Sequence, residues 1–210
     1  MIHQEQEHTS SYYAATANEV TDYPVLQGSH CADVCVVGAG FTGVATTLTL
    51  VERGYSVALI EANRVGWGAS GRNGGQLING ISGLARILEK HGPGIADMVW
   101  DLRWRGNDII RDRVEKYAIN CDLKDGYLEV ATKPRQIADI EYSAAERKRH
   151  NFPYRYETWD RDKTRAMLGT DAFHGGFICY RDGHLHPLNL CVGEARAAHE
   201  LGARVFEQSR

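Results

Sequence analysis

The sequence predicts an α/β protein: a parallel sheet founded on a βαβ unit near the N-terminus, interrupted by a smaller α+β lobe and resumed at the C-terminus. Three observations predict it. Two short, continuously apolar runs, DVCVVG (33–38) and SVALIE (56–61), bracket a stretch with apolar residues at helical spacing. A glycine triplet stands at the first strand-to-helix turn. From about 120 to 185 the alternation of strand and helix breaks down, and it returns after Pro187.

The first run ends in glycine and reads as a parallel strand covered on both faces. TGVATTLTLVER then carries Val44, Leu48 and Val51 on one helical face up to a stop at Gly54, and SVALIE is the second buried strand. Residues 95–118 repeat Ile95, Val99, Leu102, Ile110, Val114 and Tyr117 at helical steps, with Trp100 and Trp104 expected to pack in a core. GYLEVAT (126–132) alternates as a strand, PRQIADIEYSAAERKRH opens on a helix-start proline, and WDRDKTRAMLG reads as a short helix capped by Asp160. FHGGFICYRDGHLHP reads as strands around a turn; LNLCVGEARAAHELGARVFEQ reads as a helix, a glycine stop at Gly202 and a last strand. Arg147, Lys148, Arg149 and His150 read as the solvated end of a helix.

Composition excludes several function classes. The chain has 210 residues, 43% hydrophobic and 24% charged, with a net charge of −3 and its Lys and Arg scattered among acids, which argues against nucleic acid as a partner. The N-terminus lacks a basic segment followed by an apolar one, and no window reaches the roughly 18 apolar residues of a membrane span, so a cytoplasmic protein without a membrane partner is expected. Cys31, Cys35, Cys121, Cys179 and Cys191 form no C-x-x-C pair and read as buried free thiols. His184 and His186 have no third ligand at a telling spacing, so no metal site is assigned.

The chemistry-bearing motif is G-x-G-x-x-G at Gly38, Gly40 and Gly43, followed by Glu61 at the end of the second strand, 23 residues after Gly38. Gly38 permits the turn, Gly40 lets a pyrophosphate approach the backbone and Gly43 lets helix and strand pack closely, while the helix N-terminus offers N–H groups to the anion. Glu61 suits the adenosine ribose and repels a 2′-phosphate, leaving NAD or FAD in a Rossmann-like site. Phe41 and Thr42 inside the motif, and Ala62 after Glu61, are placed at the same ligand. A polar loop, GWGASGRNGGQ (66–76), follows with five glycines in eleven residues and suits a second, larger part of the ligand.

DVCVVGAGFTG together with ALIEANRVGWGASGRNGGQ resembles the FAD-dependent oxidoreductases of the D-amino acid oxidase type, and within them the bacterial gamma-glutamylputrescine oxidases, whose N-terminal arm is similar to SYYAATA. The resemblance implies a glutathione-reductase-like FAD domain with Ser70, Arg72, Asn73, Gly74, Gly75 and Gln76 lining the flavin. Asn73 stands where some relatives carry a flavin-linking histidine, so non-covalent FAD is implied. It further implies an arm (1–30), a first part of the FAD domain (31–119), a partial substrate lobe (120–185) and a return to the FAD domain (186–210). The activity implied is oxidation of a small-molecule amine with release of hydrogen peroxide; no catalytic residue is assigned. Because the resemblance covers the family's N-terminal portion, this chain alone is expected to be inactive, and a complementing chain stays open. Two readings of other classes stand beside it: a non-catalytic module holding ADP or FAD, and an inert truncation product.

Overall fold

The computed structural model describes residues 7–79, 84–92 and 94–210. In chain order its first elements are α1 (Tyr12–Ala15), β1 (Val34–Val37), α2 (Phe41–Glu52), β2 (Val57–Ile60), β3 (Gln76–Leu77), α3 (Leu84–His91) and α4 (Ile95–Lys116). They are followed by β4 (Lys124–Val130), α5 (Ile137–Arg149), β5 (Tyr156–Trp159), α6 (Arg161–Leu168), β6 (Gly176–His184), α7 (Pro187–Glu200) and β7 (Arg204–Phe206). The chain divides into two compact units, one of residues through Gly75, Ile110–Leu123 and Leu185–Arg210, the other of Gln76–Ile109 and Lys124–His184. No helix among the described residues is long and apolar enough to cross a membrane.

In the first unit β1, β2 and β7 form a parallel sheet in that order, with Val36 beside Leu59 and Ile60 beside Phe206. Val44 and Leu48 of α2, Leu59 of β2, Leu188, Cys191, Val192 and Ala195 of α7, and Val205 of β7 close one core. Each fully buried branched side chain contributes about 1.5–3 kcal/mol of transfer free energy to it. α7 starts where the sequence places it: His186 caps it by accepting the Asn189 amide at 3.1 Å, and Pro187 occupies the first turn, where its missing N–H costs nothing. Arg113 of α4 reaches the same core and donates to Glu194 of α7 at 2.9 Å and to Thr49 of α2 at 2.7 Å. Burial pushes the Glu194 carboxyl up, and Arg113 opposes that shift.

β1 departs from the expectation of a strand covered on both faces. β2 meets it, with Val57, Ala58 and Leu59 all buried, but β1 is an edge strand that alternates: Val36 packs on the core, while Val37 is 83% exposed. Cys35 shares the outer face, and Cys31 is exposed as well, so only Cys121, Cys179 and Cys191 are the buried thiols anticipated.

The second unit is an antiparallel sheet around β6. β4 pairs along the whole of one edge of β6, while β5 pairs with Gly176–Cys179 and β3 with Gly183–His184 on the other. The run FHGGFICYRDGHLHP, read as strands around a turn, instead holds one strand, β6, that continues through Asp182 and Gly183. Asp182 accepts the Asn79 backbone amide at 3.2 Å and its side-chain amide at 2.6 Å, which holds it in the sheet instead of in a turn of its own. Trp100 and Trp104 pack in the core as anticipated, Trp104 lying 4.3 Å from the Phe152 ring centroid, but they displace Leu102, which is 60% exposed. Arg147 is not solvated: it is buried, with its guanidinium 4.4 Å from the Phe177 ring and 3.8 Å from Asp182. His150 stacks on Trp100 at 4.3 Å. The division between units also differs from the boundary at 119, because β3 joins the sheet of the second unit and α4 contributes Trp100 and Trp104 to its core; residues 76–109 belong with the lobe.

α2 lies against β1 so closely that a Cβ on Gly43 would sit 1.7 Å from the carbonyl oxygen of Gly38. That oxygen is backbone and cannot rotate away. Gly43→Ala is expected to lower unfolding stability by about 3 kcal/mol, the upper end of an overpacking penalty. A urea denaturation midpoint equal to that of the unsubstituted chain would contradict the contact.

Candidate cofactor site

The site is built at the end of β1. Gly38 leaves the strand at φ +94°, a left-handed conformation that glycine adopts without strain, and its amide donates to Ile60 O at 2.7 Å, tying the turn to β2. Ala39 follows, fully buried, and its carbonyl accepts the Gly66 amide at 2.9 Å and the Cys191 thiol at 3.4 Å. Gly40 is the N-cap of α2 and offers no side chain to cap it. The Phe41 amide donates to Ser70 Oγ at 2.9 Å; Thr42 is exposed at the first turn. The positive end of a twelve-residue helix thus opens at a turn stripped of side chains, the geometry that accepts a phosphate.

Glu61 closes the turn. Its Oε2 accepts the Ala39 amide at 2.7 Å and its Oε1 the Asn63 amide at 2.8 Å, with Ala62 between. An ionised carboxylate has about four lone-pair positions, so two remain for further donors such as a ribose diol.

The loop 66–75 shows why it is rich in glycine, and the reason differs in part from the expected one. A Cβ on Gly66 would meet Leu188 Cδ1 at 2.8 Å, one on Gly71 would meet Gly66 O at 2.4 Å, and one on Gly75 would meet Leu185 O at 2.0 Å. Three of its five glycines are thus demanded by this chain's own backbone and by α7, whereas Gly68 faces open space. Asn73 stitches the loop together, donating to Ala69 O and Ser70 O at 3.1 and 3.0 Å and accepting the Gly75 amide at 2.8 Å. Arg72 is exposed and lies over the Trp67 ring at 4.3 Å; Gly74 is exposed beside Asn73. Gln76 stands apart from the others, as the first residue of β3 in the second unit.

Residues outside the motif hold this arrangement. Glu207, directly after β7, is fully buried. Its carboxylate accepts Thr21 Oγ1 at 2.5 Å, the Val65 amide at 2.7 Å, Arg64 Nη1 at 3.0 Å and the Tyr23 amide at 3.2 Å, which fills its acceptor capacity. Burial, and after it the Glu207 charge, pushes the Tyr23 phenol up to about 12. A signal for Glu207 existed in the sequence: ALIE and RVFE are parallel strands that end alike, and Ile60 pairs with Phe206. Nothing comparable marked Arg64 or Trp67. Among the described residues no three His, Cys, Asp or Glu side chains gather to hold a metal ion. His186 is committed to capping α7 and to Thr16 Oγ1 at 3.0 Å.

Glu207→Gln replaces one acceptor oxygen by an amide donor among four donors without changing size. The expected cost is about 3 kcal/mol of stability, the scale of an uncompensated buried charge partner. Denaturation of the variant at the midpoint of the parent chain would show that the carboxylate is dispensable.

Comparison with known proteins fits this geometry. The FAD dependent oxidoreductase family matches residues 33–210. The chain is 43% identical over 207 residues to a probable oxidoreductase OrdL of Haemophilus influenzae and 42% identical over 204 residues to the gamma-glutamylputrescine oxidoreductase of Escherichia coli. Each alignment covers 97% of this chain and 48% of the relative, so the chain spans about half the length of these curated relatives. The solved structure of the L-amino acid deaminase of Proteus myxofaciens in complex with anthranilate shares the fold, with a TM-score of 0.73 at 20% identity, covering 92% of this chain and 41% of that one. A turn that only glycine can form, a helix that starts on Gly40 and an acid at the end of β2 are thus found in a chain that belongs to the FAD dependent oxidoreductase family.

Proposed function

We propose that this chain supplies the cofactor-binding portion of an amine oxidoreductase and that it holds FAD without a covalent link. The observation that carries the reading is the turn Gly38–Gly43: a bend that leaves β1 through Gly38 at φ +94° and opens onto the N-terminus of α2 at Gly40, with the Glu61 carboxylate 2.7 Å from the Ala39 amide. The pyrophosphate would lie on the α2 N-terminus, the adenosine ribose on the free lone pairs of Glu61, and the flavin end along Ser70, Arg72, Asn73, Gly74 and Gly75. When bound, FAD supplies the acceptance of a hydride equivalent from the carbon beside an amine nitrogen.

The residues of this chain bind and orient. Backbone N–H groups and the helix dipole would neutralise the phosphates, and Asn73 fixes the loop through three hydrogen bonds. The substrate class we propose is a small amine of the gamma-glutamylputrescine type, on the strength of the 42% identity to the Escherichia coli enzyme.

Gly40→Val tests the reading. A Cβ there would meet Ser70 Oγ at 2.9 Å, the movable end of a short side chain, so the fold is expected to survive while the pyrophosphate space is filled. In a titration followed by flavin fluorescence the parent chain should bind FAD, and acid precipitation should release all the flavin into the supernatant. The variant should bind neither FAD nor ADP while keeping its circular dichroism spectrum. Equal affinity in the two proteins would sink the assignment of the turn, and flavin retained in the pellet would overturn the non-covalent link.

A further inference from the structure

Through one residue, Glu7, the N-terminal arm touches Arg64 just before the glycine-rich loop and Trp67 within it. The Glu7 carboxylate meets the Arg64 guanidinium in a two-pronged pair, Oε2 to Nε at 3.1 Å and Oε1 to Nη2 at 2.8 Å. The Glu7 carbonyl oxygen accepts the Trp67 indole N–H at 2.9 Å. The Trp67 ring carries the Arg72 guanidinium 4.3 Å above it. On its far side Arg64 is fixed to buried Glu207, so the anchor at this end cannot drift. Farther along, the arm is fastened again by Thr16 to His186, by Asn18 N to Asn189 Oδ1 at 2.9 Å and by Leu26 N to Ser209 Oγ at 2.8 Å.

We infer that Glu7 is a positioning residue for the flavin end of the cofactor: through Arg64 and the Trp67 indole it fixes the ring on which Arg72 rests. The inference rests on the proposed FAD site and adds to it a residue outside every motif of that site. Two physical facts separate this role from support of the fold. The Glu7 side chain is 61% exposed, and Arg64 keeps its pair with Glu207 when Glu7 is lost, so the substitution leaves no buried charge without a partner. The geometry of the Glu7 contacts is nevertheless restrictive, because a guanidinium gripped at two nitrogens, together with an indole N–H held by a backbone carbonyl, leaves Trp67 a single orientation. Arg72 has an aromatic face to lie on only in that orientation.

The test compares two ligands on the whole chain. FAD reaches both ends of the site, whereas ADP reaches only the turn at Gly38–Gly43 and Glu61. Glu7→Ala and Trp67→Phe, the second of which keeps a ring under Arg72 but loses the indole N–H, are each expected to weaken FAD binding about 5-fold and to change ADP binding less than 2-fold. Both should alter the shape of the visible absorption band of bound flavin, and the double variant should be no weaker than the single ones, since both act on one latch. Unchanged FAD affinity in both variants overturns the inference, and so does an equal loss for FAD and ADP, which would mark a general effect on the fold. Failure of the unsubstituted chain to bind FAD would instead bring down the site itself, and the inference with it.

Discussion

A carboxylate with no access to water, Glu207, is what the first unit is hung upon. An ionised group at that depth is tolerable only if its desolvation is offset by donors on all sides, and the donors come from two separate stretches: Thr21 and Tyr23 of the arm, and Arg64 and Val65 beyond β2. The consequence travels along the backbone. Fixing the Val65 amide fixes Gly66, whose own amide donates to Ala39 O inside the glycine turn, and the Ala39 amide in turn donates to Glu61. One buried charge after β7 therefore sets the position of the acid and the turn on which the cofactor assignment rests.

The glycine-rich loop illustrates how packing and binding share a sequence feature. Gly66, Gly71 and Gly75 are excluded from bearing a side chain by atoms of this chain, Leu188, Gly66 O and Leu185 O, before any ligand is considered. The loop is thereby pressed onto α7, with Ser70 turned to the start of α2 and Arg72 and Asn73 exposed. A surface made in this way is rigid without being crowded, which suits a ligand that makes contact with backbone as much as with side chains.

Much of this was legible in the sequence because it depends on local rules. β1, α2 and β2 follow from apolar runs and a glycine triplet, and α6 and α7 from an aspartate cap and a His-Pro start; each signal lies within a few residues of what it specifies. What was not legible depends on distant partners. Asp182–Gly183 carries the composition of a turn, yet Asn79 draws Asp182 into β6 from about a hundred residues away. Arg147 sits in a basic run of solvated appearance, yet aromatic faces and Asp182 bury it. The exposed face of β1 escaped notice because an apolar run does not state which strand lies at the edge. For the site, the turn and Glu61 were visible as a motif and Glu207 was marked by the like endings of β2 and β7, whereas Arg64 and Glu7 act across sequence separations that no spacing rule encodes.

On the proposed reading one continuous cradle, the turn at Gly38–Val44 and the stretch from Glu61 to Gly75, would receive the two ends of FAD in order. Hydrogen–deuterium exchange read by mass spectrometry, with the chain free, with ADP and with FAD, tests it most directly. The account predicts that ADP slows exchange in Gly38–Val44 and near Glu61 only, and that FAD slows it there and also in Ser70–Gly75. Protection that FAD confers only outside these segments, or an ADP footprint that already covers Ser70–Gly75, would contradict it.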